Sequence, residues 1–391
     1  MKTLIELYDE RPIENVLASE VFHPQRTVFL CPPEVAQNKT VQEKMRKYFA
    51  HRGLDMELVF LESSLYNSSK IEKQLRAVAE KYPECVLDIT GGTDAALFAG
   101  GRLCGEIDMP AFTYSRKRGC FYSINNAHFG DELECTVQHK VEDCFLMAGG
   151  ALREGRVDNS ILSRYMDVVD PFFELYMKHR HEWTNAVSYL QRSTQCEKGA
   201  PIPLKIEAPY TVKGEHGSRI DAPEEVLADF EKLGFISGLE IDRERVKFTF
   251  KDTQIRAWMR DVGSVLELYV YKACRDAGIF NDVVTSAVVD WEGDFRQDNV
   301  TNEIDVMAMQ GIVPAFISCK TCDISTEALN ELAILRDRFG GKAAKAAIVS
   351  AERCRNITRH RASELGIIVI DLEDLQDGSI IKHIKSMMER D

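Results

Sequence analysis

The residues of this 391-residue chain best placed to do chemistry lie between Asn302 and Thr321. Ile304, Val306 and Ala308 alternate there with polar or flexible neighbours, Gln310-Gly311 supplies a turn, and Val313–Ile317 is an apolar run. This pattern predicts two adjacent strands in antiparallel pairing. Such a hairpin brings Asp305 beside the Ser318–Lys320 end of the second strand. A carboxylate and an ammonium fifteen residues apart in sequence then project from one sheet edge. Phosphodiester hydrolysis uses that pairing. Carboxylate oxygens hold Mg²⁺ or Mn²⁺, the metal polarises the phosphate and acidifies a bound water, and the ammonium stabilises charge on phosphorus or positions the attacking water. The structural alternative is an ordinary hairpin with an exposed Asp and Lys.

The elements that must position these side chains can be followed on both sides. Upstream, Gly263–Ala277 has helical periodicity with Val265, Leu266, Val270 and Ala273 toward a core, and Asp282–Asp290 reads as a strand. Downstream come a helix over Thr326–Phe339, ended by Gly340-Gly341, and a strand over Ala344–Ser350. This order of helix, three strands, helix and strand resembles the catalytic core of the PD-(D/E)xK restriction-endonuclease-like superfamily. The resemblance implies metal-binding acids at Asp305 and at the first position of a closing three-residue signature, with Lys320 as its last. The signature here is Ser318-Cys319-Lys320, so a serine stands where the family has an acid. The further metal ligands expected on this basis are Glu267, reaching in from the preceding helix, and the backbone carbonyl of Cys319. Glu303 is the second candidate for the missing carboxylate, because strand alternation places it on Asp305's side.

From residue 1 to about 125, strands (Thr3–Tyr8, Thr27–Cys31, Met56–Leu61, Val86–Ile89, Ala111–Tyr114) alternate with amphipathic helices such as Thr40–His51 and Ser68–Tyr82. The alternation predicts a parallel sheet covered on both faces, with any ligand at the carboxyl ends of its strands. One strand end is distinctive: Thr90-Gly91-Gly92-Thr93 leads into a helix over Ala95–Cys104. Glycines let backbone N–H groups approach a ligand, and a helix amino terminus favours an anion; the structural alternative is a tight turn with Thr93 as N-cap. The loop is neither a GxGxxG fingerprint nor a Walker loop. It resembles the sensor loop of CARF domains, the CRISPR-associated Rossmann-fold sensors of cyclic oligoadenylates. That likeness implies a ligand site built from Tyr8-Asp9-Glu10-Arg11 and Thr90–Thr93, with Arg116 and Lys117 as further basic candidates, and a homodimer holding one ring on its two-fold axis.

Between these regions, Gly149-Gly150 marks a break, Asn159–His181 reads as helix with Pro171 kinking or dividing it, and Glu225–Leu233 followed by Arg245–Phe250 has a winged-helix-like order. The acids Asp221, Glu224, Glu225, Asp229, Glu231, Glu240 and Asp242 make that segment a spacer more than a DNA reader. The formal net charge of −13 argues against capture of nucleic acid by the whole surface, but eight Lys or Arg against four acids between Glu331 and Glu364 leave room for a local basic face. Cys319 and Cys322 form a lone CxxC, and no second pair lies at zinc-finger spacing. No apolar run is long enough to cross a bilayer and no signal peptide is expected at Met1, so the expected location is the cytoplasm.

The expected architecture is α/β throughout: a Rossmann-like CARF sensor domain (1–145), a helical and winged-helix-like connector (146–258) and a restriction-endonuclease-like nuclease domain (259–391). The whole resembles the cyclic oligoadenylate-activated effectors of type III CRISPR immunity. The resemblance implies a nuclease using Mn²⁺ or Mg²⁺ on single-stranded RNA or DNA, with cyclic tetra-adenylate as allosteric activator. The alternative is a ligand-responsive nucleic-acid-binding regulator with an inactive nuclease fold, which Ser318 favours. Hydrolysis of the ring by the sensor domain itself is a third reading.

Overall fold

The computed structural model describes residues 1–154, 159–195, 201–214, 217–296 and 298–389. The apolar runs near the amino terminus become β1 (Thr3–Leu7), β2 (Arg26–Cys31), β3 (Glu57–Glu62), β4 (Cys85–Asp88) and β5 (Ala111–Ser115), all parallel in the order β3-β2-β1-β4-β5. Every residue of β1 and β4 is buried, as strands covered on both faces require. The covering helices are α1 (Leu17–Phe22), α2 (Pro33–Ala36), α3 (Lys39–His51), α4 (Ser68–Lys81) and α5 (Asp94–Ile107). Asn38, Asn67 and Thr93 cap the last three by accepting N–H groups of the first turn. Two antiparallel strands not expected from the sequence, β6 (Cys120–Asn125) and β7 (Glu132–Glu134), extend the sheet beyond β5. The chain winds outward from β1 to β3, then restarts at β4 on the other side. The switch point therefore lies between the ends of β1 and β4, where ligands of such sheets bind.

The segment around the expected boundary at 145/146 behaves differently from expectation. Helix α6 (Val141–Met147) puts Val141, Cys144 and Phe145 into a core with Phe316, Leu329, Phe339 and Ile348 of the last third. After Gly149-Gly150, β8 (Ala151–Glu154) pairs antiparallel with a strand of the carboxyl-terminal sheet. Leu146 and Met147 turn instead to the first domain's core and Asp143 pairs with Arg52, so α6 bridges the two domains while β8 covers a strand of the carboxyl-terminal sheet that would otherwise expose its backbone groups.

The connector contains α7 (Met166–Lys178), α8 (Trp183–Ser193), β9 (Lys205–Pro209), the small hairpin β10 (Thr211–Lys213) and β11 (Arg219–Asp221), α9 (Glu224–Lys232), β12 (Ile236–Ile241), β13 (Arg245–Phe250) and α10 (Thr253–Met259). An antiparallel sheet β12-β13-β9 with flanking helices bears out the winged-helix-like order. Pro171 sits inside α7 without dividing it; the chain breaks instead at His179. Phe172, Trp183, Phe230 and Phe235 pack α7, α8 and α9 together, and Phe173 stacks on Tyr269 of the next helix with centroids 3.7 Å apart. Connector and third domain therefore share one continuous core.

The third domain runs α11 (Ser264–Asp276), β14 (Asp282–Asp290), β15 (Thr301–Gln310), β16 (Val313–Lys320), α12 (Thr326–Leu335), β17 (Lys345–Ser350), α13 (Asn356–Glu364), β18 (Ile367–Ile370), α14 (Leu372–Gln376) and α15 (Ile380–Met388). Its sheet order is β18-β17-β16-β15-β14-β8, with β16, β17 and β18 parallel and the rest antiparallel. Alternation along β15 sends Val306 and Ala308 to the core shared with α11, and Met307 and Met309 to the core beneath α12. The expected helix over Thr326–Phe339 is α-helical only to Leu335, and a π-turn over Arg336–Gly340 completes it.

Candidate active site

Pairing of β15 with β16 runs from Gln310 opposite Val313 to Val306 opposite Ile317. Asp305 stands at the next step, opposite Ser318, where the ladder opens. Its Oδ2 accepts the Cys319 backbone N–H at 2.6 Å and the Ser318 hydroxyl at 3.1 Å, with Lys320 Nζ 3.9 Å away. On the other flank, Thr285 donates its hydroxyl to the Asp305 carbonyl at 2.7 Å. The next residue of β14, Ser286, has φ +50° and donates to the Glu303 carboxylate at 2.9 Å. A non-glycine residue in the left-handed region inside a strand carries strain, and strain of this kind gathers at functional sites. Nothing in the sequence signalled it.

Burial raises the Asp305 carboxyl above the usual carboxylate range, while the Lys320 ammonium and the donors on Cys319 and Ser318 pull it back and Glu303 adds to the rise. A divalent cation would relieve the burial and the Glu303 repulsion together, so the donor set fits a hard metal ion. Glu303, Asp305, Ser318 and Lys320 line one cleft with Glu331 of α12, a residue the sequence did not point to; it accepts from Asn302 at 2.7 Å. Cys319 instead faces the α11 core, and burial, then the charges of Asp305 and Glu267, push its thiol up. Glu267 thus approaches the hairpin from the α11 side, near Cys319, whereas Glu303 shares the open cleft with Asp305. Among the described residues, the sets of three His, Cys or acidic side chains close enough to share an ion do not include Asp305. A metal here would be held by one or two carboxylates, with the remaining positions left to carbonyl, water and phosphate, as Mg²⁺ accepts.

This geometry sets up a direct test of the second carboxylate. If Glu267 holds the ion, Glu267→Ala should raise the Mn²⁺ concentration needed for half-maximal cleavage by on the order of ten- to a hundredfold, with Glu303→Ala near wild type. The reverse ranking assigns the ligand to Glu303.

The basic run between Glu331 and Glu364 is largely matched by acids and carbonyls. Arg336 donates to the Leu365 carbonyl at 2.7 Å, and Arg353, Arg355, Arg359 and Arg361 pair with Glu373, Asp323, Asp371 and Glu364.

At the amino-terminal switch point the structure gathers Asp9, Arg11, Asn15, Thr90–Thr93 and Arg116. Asp9 accepts from Arg11 through Nε and Nη2, both at 2.6 Å, and from the Gly92 N–H at 3.0 Å. Burial opposes the Asp9 charge, but Arg11 and the Arg11 and Gly92 N–H groups hold its carboxyl below the ordinary value. Asn15 closes the loop by exchanging hydrogen bonds with the Asp9 backbone at 2.9 and 2.7 Å. Thr90 accepts from the Tyr114 N–H at 2.8 Å, and Thr93 caps α5 while donating to the Leu65 carbonyl.

The two glycines also stand where a side chain would not fit. A Cβ on Gly91 would lie 2.9 Å from that of Asp9, and one on Gly92, whose φ is +98°, would lie 2.8 Å from that of Leu7. They permit close packing on β1, whatever binds outside. Arg116 pairs with the buried Glu14, which Arg11 also approaches at 3.7 Å, so two guanidiniums meet at one carboxylate beside Gly91. Glu10 and Lys117 are exposed at the rim.

Contacts also run directly between the first and third domains. Arg11, Glu14 and Arg116 border a cavity whose far wall is Met309, Pro314 and Phe339 of the third domain. Beside it, the fully buried His139 bonds Glu20 of α1 through Nε2 at 2.8 Å; Tyr48 of α3 also donates to Glu20. The His139 backbone N–H donates to Gly311, in the turn of the β15–β16 hairpin, at 2.9 Å, and its carbonyl accepts from Asn281 at 2.7 Å.

Residues 257–390 match the family model described as "Card1-like, endonuclease domain". The last third of the chain is an endonuclease domain. No curated protein matches the sequence. Among solved structures, protein VC1899 from Vibrio cholerae aligns with 18% identity and a TM-score of 0.76, covering 100% of this chain and 98% of that one. Can2 from Sulfobacillus thermosulfidooxidans, solved with cyclic tetra-adenylate, aligns at 18% identity and a TM-score of 0.70 over 99% of this chain and 97% of that one. A type III CRISPR defence DNA nuclease activated by cyclic oligoadenylate aligns at 14% identity and a TM-score of 0.50, over 96% of this chain but 51% of its own. The three-part fold of the endonuclease is thus shared over its whole length with VC1899 and Can2.

Proposed function

We propose that this protein is a metal-dependent nuclease switched on by a cyclic oligoadenylate, cyclic tetra-adenylate by preference, and that it cleaves single-stranded RNA or DNA in type III CRISPR defence in the cytoplasm. The observation that carries this reading is the physical continuity of the two sites: the hairpin bearing Asp305 and Lys320 is gripped at its turn by His139, which the first domain holds through Glu20. The full-length likeness to Can2, solved with cyclic tetra-adenylate, supports the ligand class.

In this reading Asp305 holds Mn²⁺ or Mg²⁺ with Glu267 or Glu303 and the Cys319 carbonyl. The ion polarises the phosphate and supplies an acidified water. Lys320, 3.9 Å from Asp305, faces the scissile phosphate and stabilises its added negative charge. Ser318 keeps Asp305 aimed into the cleft where an acid would otherwise have ligated. Arg11, Arg116 and the α5 amino terminus take ring phosphates, with Lys117 at the rim. Two copies enclose one ring, whose repeat matches a two-fold axis. The ring favours one arrangement of hairpin and first domain by differential affinity.

The deciding experiment is purified protein with Mn²⁺, with and without cyclic tetra-adenylate, on labelled single-stranded RNA and DNA. Cleavage only with ring and metal is expected. Ring binding without cleavage of either strand favours the regulator with an inactive nuclease fold, the reading that Ser318 supports. Coupling has its own test. His139→Ala should leave ring affinity, measured by calorimetry, within about twofold while lowering the ratio of cleavage with ring to cleavage without it by roughly tenfold, since coupling free energies run about 1–3 kcal/mol. His139→Gln, which can still donate to Glu20, should restore part of that ratio; an unchanged ratio in His139→Ala removes His139 from the route.

A further inference from the structure

We propose that His179, Glu182 and Glu225 form a binding site for a divalent transition-metal ion, Zn²⁺ by preference, in the connector and apart from the nuclease cleft. His179 ends α7, Glu182 is the N-cap of α8, and Glu225 lies in the first turn of α9. One ligand atom from each falls within 4.8 Å of the others. The His179 ring is only 3% exposed, and each of its nitrogens meets a different carboxylate: Nδ1 lies 2.6 Å from Glu182 and Nε2 2.8 Å from Asp229.

The surroundings separate the roles of the two nitrogens. Asp229 also receives Lys178 Nζ at 2.5 Å and Lys232 Nζ at 2.6 Å. With His179 Nε2 at 2.8 Å, three nitrogens converge on this one carboxylate. It holds the ring through Nε2, which leaves Nδ1 facing Glu182. A carboxylate commonly orients a metal-binding imidazole in this way, through the nitrogen the metal does not use.

Glu225 brings a second carboxylate within reach of both His179 and Glu182, and the Lys178 charge also faces it. One nitrogen and two carboxylate oxygens, with Glu182 and Glu225 at the surface, leave a fourth position for water, which suits tetrahedral zinc more than magnesium. The ion would tie α7, α8 and α9 together at the break after His179, over the aromatic cluster of Phe172, Trp183 and Phe230.

The test uses the full chain carrying Asp305→Ala, which removes the nuclease cleft as a competing site. After dialysis against Zn²⁺ and then buffer, mass spectrometry should count about one zinc per chain, and zinc should raise the melting temperature. Adding Glu225→Gln, an exposed and nearly isosteric change, should abolish both effects without moving the metal-free melting temperature. His179→Gln should lose zinc as well; should that variant not fold, Glu225→Gln decides alone. No zinc retained, or equal retention in the Glu225→Gln protein, overturns the site. An equal stabilisation by Mg²⁺ overturns its assignment to a transition metal.

Discussion

Asp305→Ala and Lys320→Ala are each expected to reduce ring-activated cleavage by on the order of a hundredfold or more while leaving ring affinity unchanged. Both residues belong to the open end of one hairpin, and the proposed ring site lies in another domain. Their failures should differ in kind. Removing Asp305 deletes the buried carboxylate on which the ion rests, so higher Mn²⁺ should restore little. Removing Lys320 leaves the ion and deletes the cation facing the phosphate, so the metal requirement should stay near wild type while the rate falls. The pH dependence follows from the same group. Burial raises the Asp305 carboxyl, so protons compete with the metal over a higher range than for an ordinary aspartate. At limiting Mn²⁺, cleavage should rise as pH climbs through that raised pKa, and saturating Mn²⁺ should move the rise to lower pH. Wild-type cleavage by Asp305→Ala would refute the site.

Arg116→Ala combined with Glu14→Gln should weaken cyclic tetra-adenylate binding by roughly tenfold or more, the loss of a charged hydrogen bond being about 1.5–3 kcal/mol. The two changes belong together, because Glu14 is buried against Arg116 and removing the arginine alone would strand a charge. Calorimetry on the folded double variant reads the affinity directly. Gly92→Val makes a poorer probe of the same site. Its Cβ would meet Leu7 and its φ of +98° disfavours any side chain, so the expected result is a destabilised first domain, by about 1–3 kcal/mol, whether or not a ring binds there. Unaltered ring affinity in Arg116→Ala/Glu14→Gln would remove the guanidiniums from the sensor site.

Local periodicity was enough to read most of the elements. Strands β1 to β5 fall within a residue or so of their expected bounds, because sheet strands covered by helices are predominantly apolar, and Thr93 caps α5 because a threonine before a helix has few better partners. The hairpin from Thr301 to Lys320 was legible for the same reason, and with it the meeting of Asp305 and Lys320. The six-residue β6 mixes apolar and polar residues, and the short edge strands β7 and β8 had no such signature. A strand of three or four residues has too few alternations to read, and its partner is chosen by which sheet edge stands open.

Only the tertiary structure decided which face each acid serves. The sequence ranked Glu267 ahead of Glu303 and did not point to Glu331; packing of α11 and α12 on opposite faces of the sheet puts Glu303 and Glu331 in the cleft and Glu267 behind Cys319. The left-handed Ser286, the contact that makes Gly92 obligatory, and the bonds of His139 to Glu20 and Gly311 join residues 17 to 172 positions apart. No local preference specifies such pairs. They exist because burying two domains against each other leaves polar groups that must find partners, and the side chains that arrive there are set by the packing of the whole chain.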